Sequence, residues 1–128
     1  TTSDEGLRLW LQNWEREGYG YWAITLAQSE DVLGFGGIRR IMWQGRAVLN
    51  LYYRFTPAAW GQGYASEMAQ KAVILARRHI PSLPVVARVR NNNRASLRVA
   101  ERAGLQRRPD LDTEHIVFAS GWTYIDGT

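Results

Sequence analysis

The sequence predicts one mixed α/β (α+β) domain, a mainly antiparallel sheet flanked by helices. Three observations lead there. Three strand-like runs follow one another between positions 21 and 55 with only short turns between them. A helical pattern after Pro57 then leads into another strand, a β-α-β arrangement. Finally, the 128 residues contain no repeat, low-complexity tract or linker, and that length suits one domain with a single core.

The elements follow in order. Thr2 and Glu5 have capping-box spacing, and Leu7, Trp10, Leu11 and Trp14 continue as an apolar stripe, so a helix is expected at the start. A chain that opens inside such a pattern is expected to be N-terminally incomplete. Gly18 and Gly20 break the helix, and "YWAITLAQ" (21–28) reads as a strand by its aromatic and β-branched content. "VLGFGGIRRI" (32–41) is a second strand, with glycines that mark a bulge or a close approach. "WQGR" is a hairpin signal, and "AVLNLYYRF" (47–55) completes an antiparallel meander.

Pro57 ends the third strand. Ala65, Met68, Ala69, Ala72, Val73 and Ala76 then share one apolar face of a helix that runs to about Arg78. "PVVARVR" (84–90) is a strand. Asn93 is an N-cap for a helix to Ala103, with Gly104 as its stop. "HIVFAS" (115–120) and "WTYI" (122–125) read as a final strand pair around Gly121. The crossover makes strands 47–55 and 84–90 parallel neighbours, with the sheet splayed around them. Ligands sit beyond the carboxyl ends of such strands, and both ends here lead into glycine- or asparagine-rich starts of helices. One cleft is therefore expected between Gly61–Ala65 and Asn93–Ser96.

Composition narrows the classes. The 45% hydrophobic and 22% charged content is that of a soluble globular domain, no apolar run approaches a membrane span, and no secretory leader is visible. Cysteine is absent, which removes disulfides and thiol nucleophiles and fits the cytoplasm. Fifteen of the sixteen cationic residues are Arg, and nine of them lie between Lys71 and Pro109 against the single acid Glu101. Such a run reads either as a polyanion-binding region, for nucleic acid or a phosphorylated cofactor, or as a solvated surface. His79 and His115 are not spaced as metal ligands, and no metal is expected. Trp10, Trp14, Trp22 and Trp43 read as packing residues.

Two motifs carry the chemistry. In "TPAAWGQGYASEMAQ" (56–70), Gly61 and Gly63 stand before a helix whose free amides attract an anion. An NTP loop would place Gly-Lys-Ser/Thr where Gly63, Tyr64 and Ala65 stand, so the cradle suits another phosphorylated ligand. A tight strand-to-helix connection would use the same glycines. In "VRNNNRASLRVAERAGL" (89–105), Ser96 shares a face with Val99, Ala100 and Ala103, which points its hydroxyl inward near the cleft. A serine that merely packs at a helix start would look alike, and the Asn run also fits turn chemistry.

Together, "WGQGYASE" and "NNNRASLRVAERAGL" resemble the GNAT superfamily of acyl-CoA-dependent N-acyltransferases, most closely its ribosomal-protein N-terminal acetyltransferase subgroup. The resemblance runs from about Gly20 to Trp122. It implies the GNAT fold without its first strand and helix. It also implies transfer of an acetyl group from acetyl-CoA to a primary amine, at a protein N-terminus or on a small molecule. By the same resemblance Trp60 takes a place usually held by Arg or Gln, and the amides of Gly61, Gln62, Gly63, Tyr64 and Ala65 hold the CoA diphosphate. Phe55 and Thr56 pair by main chain with the pantetheine arm, Asn93 touches it, and Arg102 reaches toward the 3′-phosphate. Ser96 protonates the departing thiolate. Many relatives carry a Glu as base near Asn50 and a Gly at Tyr52, so the base stays open among His115, Glu114, a residue upstream of Thr1 and ordered water. Glu67, at a helix start, reads as a complement to the helix dipole. A homodimer is open, and no membrane partner is expected. A non-catalytic acyl-CoA-binding module and a nucleic-acid-binding domain are the rival readings.

Overall fold

The computed structural model describes residues 20–25, 32–57, 61 and 63–123. The helix expected near Thr2–Trp14, residues 26–28 of the first strand, Trp60 and Gln62 lie outside the described residues. Six strands form one sheet: β1 (Tyr21–Thr25), β2 (Val32–Trp43), β3 (Arg46–Phe55), β4 (Val85–Val89), β5 (Gln106–Arg107) and β6 (Ile116–Ser120), in the order β1-β2-β3-β4-β6-β5. A 3₁₀ turn at Pro109–Leu111 and two α-helices, α1 (Tyr64–His79) and α2 (Arg94–Arg102), complete the described elements. Neither α-helix is long and apolar enough to cross a membrane.

The meander forms as expected. β2 and β3 pair without interruption from Gly34↔Phe55 to Trp43↔Arg46. Their two-residue turn holds Gln44 at φ 53° and Gly45 at φ 76°, both left-handed, the geometry whose twist suits a tight hairpin. The glycines of β2 serve a close approach. A Cβ on Gly36 would collide with the end of the Met68 side chain, and one on Gly34 with the Arg54 carbonyl of β3. Bare backbone on the sheet and alanines on the helix therefore let α1 sit close, burying Met68, Ala69, Ala72, Val73 and Ala76.

The key feature is a failure of pairing. β3 and β4 are parallel neighbours only at Leu49↔Val85 and Asn50↔Val86, supported by the Leu49 N–H donating to the Pro84 carbonyl at 2.8 Å. Beyond that, β4 stays with β6, from Val85↔Ser120 to Val89↔Ile116, while β3 stays with β2. The two halves of the sheet thus diverge toward the strands' carboxyl ends, which is the predicted splay.

Side-chain alternation divides the sheet into two faces. Leu49, Leu51, Phe55, Val85, Ala87 and Phe118 pack in the main core with the buried faces of α1 and α2. Val48, Val86, Val117 and Ala119 form a second cluster on the opposite face, joined by Trp43 and Trp122. Those two indoles meet edge-on at 5.5 Å, so Trp43 is a packing residue as expected.

Of the expected final strand pair the first strand forms, and Tyr124 and Ile125 of the second lie outside the described residues. Trp122 and Thr123 carry no strand, and β6 finds its second neighbour in β5. Gly121, at φ 78°, turns the chain away, and Trp122 folds back onto Trp43. β5 has two exposed residues and hence no hydrophobic alternation to announce it. It is held instead by Arg107, whose guanidinium binds both oxygens of Asp112, while Asp112 Oδ1 accepts the Val117 N–H at 2.9 Å.

Candidate active site

The glycine turn precedes α1 with Gly61 at φ 78° and Gly63 at φ 82°; Gly63 is the N-cap and no side chain caps the helix. A Cβ built on Gly61 would meet nothing within 4 Å, and one on Gly63 only Glu67 Oε1 at 3.9 Å. Among the described residues, neither glycine is required by packing, and each is required by its torsion. The first helical N–H with a partner in the turn before it is that of Glu67, donating to the Gly63 carbonyl at 3.0 Å. The amides ahead of it lie at the positive end of the helix dipole. That donor set suits a diphosphate.

The second helix start is built by its asparagine. Asn93 Oδ1 accepts the Ser96 N–H at 3.1 Å, the predicted cap. Ser96 is then the third residue of α2, half-buried and facing the splay. Across the gap, the Tyr53 hydroxyl donates to the Ser96 carbonyl at 2.8 Å. Burial pushes the Tyr53 phenol up to about 12, with the Ser96 side chain, by hydrogen bonding, pulling the other way. The phenol therefore stays protonated near neutrality. At the far end, Gly104 at φ 89° closes α2: its N–H donates to Glu101 and that of Leu105 to Ala100, the paired bonds of a Schellman stop.

Two cavities meet at this junction. The larger, about 1010 Å³, is lined by Phe55, Thr56, Ala65, Asn93, Ser96 and Val99 among others. The smaller, about 510 Å³, adds Leu51, Tyr52, Ala87, Arg88, Val89 and His115. They share Tyr53, Arg54, Arg90, Asn93 and Ser96. Five expected site residues, Phe55, Thr56, Ala65, Asn93 and Ser96, are thus gathered around one space. Gly61, Gly63 and Tyr64 form the adjoining turn without lining either cavity. Arg102 lines neither cavity and sits at the far end of α2, where its carbonyl accepts from Gln70 Nε2 at 2.9 Å.

Sequence reasoning missed Tyr53, Arg54 and Arg90. The alternation of β3 carried a signal for Tyr53, which points the same way as Leu51 and Phe55. Asn50 is buried and lines neither cavity, whereas His115 is half-buried on the smaller one, its Nδ1 3.8 Å from Glu114 Oε1. Among the described residues, no three His, Asp or Glu side chains gather as a metal-ligand set.

The sequence model of the acetyltransferase (GNAT) domain matches residues 1–106. The chain belongs to the GNAT acetyltransferase family. This GNAT domain is 30% identical over 103 residues to YkkB, an uncharacterized protein of Bacillus subtilis (strain 168), covering 77% of this chain and 59% of that protein. An acetyltransferase of Agrobacterium tumefaciens str. C58 superimposes with a TM-score of 0.68 at 28% identity, over 86% of this chain and 65% of the other. A second similar structure is RimL, a ribosomal L7/L12 alpha-N-protein acetyltransferase in complex with coenzyme A. It has a TM-score of 0.57 at 16% identity, over 86% of this chain and 66% of that one, a likeness of fold. This GNAT domain therefore spans about six-tenths of the length of the curated relative it matches.

Proposed function

We propose that this GNAT domain transfers an acetyl group from acetyl-CoA to a primary amine by direct attack. The observation that carries the reading is the splay. One opening between β3 and β4 brings together the end of β3, the amide-rich start of α1 and the Asn93–Ser96 cap. Membership in an acetyltransferase family, and a coenzyme A complex of a protein with the same fold, support acetyl-CoA as the donor.

The residues divide the work. The amides from Gly61 to Ala65 would hold the diphosphate, and the main chain of Phe55 and Thr56 would pair with the pantetheine arm in the larger cavity. Asn93 has its amide oxygen committed to Ser96, which leaves its NH₂ group as the end that donates to that arm. Acetyl-CoA supplies a thioester whose carbonyl carbon accepts the amine. The ammonium first gives one proton to the base, and the neutral amine then attacks the thioester carbon. As the adduct collapses the C–S bond breaks, the nitrogen loses its second proton to solvent, and the thiolate takes one from the Ser96 hydroxyl, which solvent reprotonates. A free amine is mostly protonated at neutral pH, so a base is needed. His115 is our candidate, because among the described residues it is the one imidazole that lines either cavity. The Leu49 N–H points toward β4, so by alternation the Tyr53 N–H faces the opening, where it would serve as the oxyanion donor.

A non-catalytic acyl-CoA-binding module is the second reading, and the buried amide of Asn50 favours it. Calorimetric titration with acetyl-CoA, with ATP as control, followed by a thiol-release assay with amine acceptors, tests both. Micromolar binding of acetyl-CoA alone with turnover supports the transferase. Binding without turnover supports the module, and binding of neither ligand removes the cofactor assignment.

A further inference from the structure

The smaller cavity has an unusual wall. Arg54 from β3, Arg88 from β4 and Arg90 just beyond it all line the cavity, together with Tyr52 and His115, and among the described residues no Asp or Glu lines it. Register explains the gathering. Arg88 lies opposite Val117 and Val89 opposite Ile116, so Arg90 and His115 come next in line. By alternation, Tyr52, Arg54, Arg88 and Arg90 project from the sheet face away from α1 and α2. The cofactor residues Phe55, Ala65 and Ser96 belong to the helix side, so the opening in the sheet joins a cofactor side to an arginine-walled side.

Among the described residues, none of the three guanidiniums has a carboxylate partner; Arg88 instead lies 6.0 Å from the Trp43 ring centre. Three like charges around one concavity raise its potential, repel cationic ligands and concentrate anions. The planar guanidinium fork matches a carboxylate with two parallel hydrogen bonds. Arg54 and Arg90 also line the larger cavity, so part of their charge faces the donor. Arg88 lines the smaller one alone.

Resting on the transferase reading above, we propose that the acceptor is a primary amine bearing a carboxylate a few bonds from the nitrogen. Arg88 and Arg90, with Arg54, hold the carboxylate while the amine reaches the Tyr53–Ser96 junction. A free acidic amino acid and the acidic N-terminus of a peptide share this chemistry. Polycationic amines such as spermidine are turned away by the same wall.

The test compares kcat/KM by thiol release, at saturating acetyl-CoA, for four acceptors: L-glutamate, a peptide beginning Ser-Glu-Asp, its Ser-Gln-Asn counterpart and spermidine. Either carboxylate-bearing acceptor should exceed the neutral peptide at least tenfold, and the better of the two names the source. Arg88→Ala should raise KM for that acceptor about tenfold, the size of a lost charge-assisted pair, while calorimetry finds acetyl-CoA affinity unchanged. Arg88→Glu should narrow or reverse the preference over spermidine, which mere structural damage would not do. Equal use of all four acceptors, preference for spermidine, or no turnover of any member overturns the acceptor assignment. So does a loss of acetyl-CoA affinity in Arg54→Ala and Arg90→Ala with selectivity intact. Failure to bind acetyl-CoA in the wild-type chain overturns the transferase reading itself.

Discussion

Ser96 shows how much can rest on one side chain. Its amide is fixed by Asn93 and its carbonyl by Tyr53, so the hydroxyl is held at the junction of the two cavities by groups on both sides of the splay. Ser96→Ala should lower kcat by roughly a hundredfold, the usual size of a general acid, with little change in acetyl-CoA affinity by calorimetry. Activity equal to wild type would remove Ser96 from the acid role. Tyr53 gives a pH prediction. Its folded-state phenol titrates at about 12 against an ordinary value of about 10, so the folded state binds the proton more tightly. The stability this represents is complete below about pH 10 and is lost as pH rises toward 12, an effect of order 2 kcal/mol. Tyr53→Phe should abolish that alkaline fall in thermal melts while costing about 1 kcal/mol at pH 7 through the lost hydrogen bond. A melt as steeply alkaline-sensitive as wild type would refute it.

Elements were legible where local chemistry settles them. The apolar period of α1, the asparagine cap and glycine stop of α2, and the Gln-Gly hairpin all follow from steric and hydrogen-bonding needs of a few adjacent residues. β5 was not legible, because a two-residue strand held by an Arg–Asp clamp has no period. That clamp is open to test. The Arg107 guanidinium beside Asp112 holds its carboxyl below the usual carboxylate value. Its contribution is therefore present above about pH 4 and lost as pH falls through the depressed folded value. Acidification should speed amide exchange at Val117 first, and Asp112→Ala should show that exchange already at neutral pH; identical protection in the variant would dismiss the clamp. The glycine turn belongs at this scale too. Gly63 sits in a left-handed torsion that a valine strongly disfavours, so Gly63→Val should weaken acetyl-CoA binding at least tenfold in a folded variant. Unchanged affinity would detach the turn from the cofactor.

At the scale of the molecule, the candidate site arises from a break in the sheet. The pairs at Leu49 and Asn50 hold its halves together at one end, and divergence beyond them produces cavities that join from opposite faces. Ligand binding to such a seam should stabilise the fold by linkage. Acetyl-CoA at a hundred times its Kd should add about 2.7 kcal/mol, several degrees in Tm, and ATP should add nothing. A Tm indifferent to acetyl-CoA would contradict the cofactor assignment. The sequence by itself determined the order and kind of most of these elements, the parallel crossover and the two helix starts, because each depends on neighbours along the chain or on one hydrophobic period. Five expected site residues met around one cavity for that reason. Only the tertiary structure decided which residues share the walls. Tyr53 against Ser96, and Arg54 with Arg88, Arg90 and His115, are brought together by strand register and by the point where pairing stops. Both depend on interactions between segments distant in sequence, which no local pattern records.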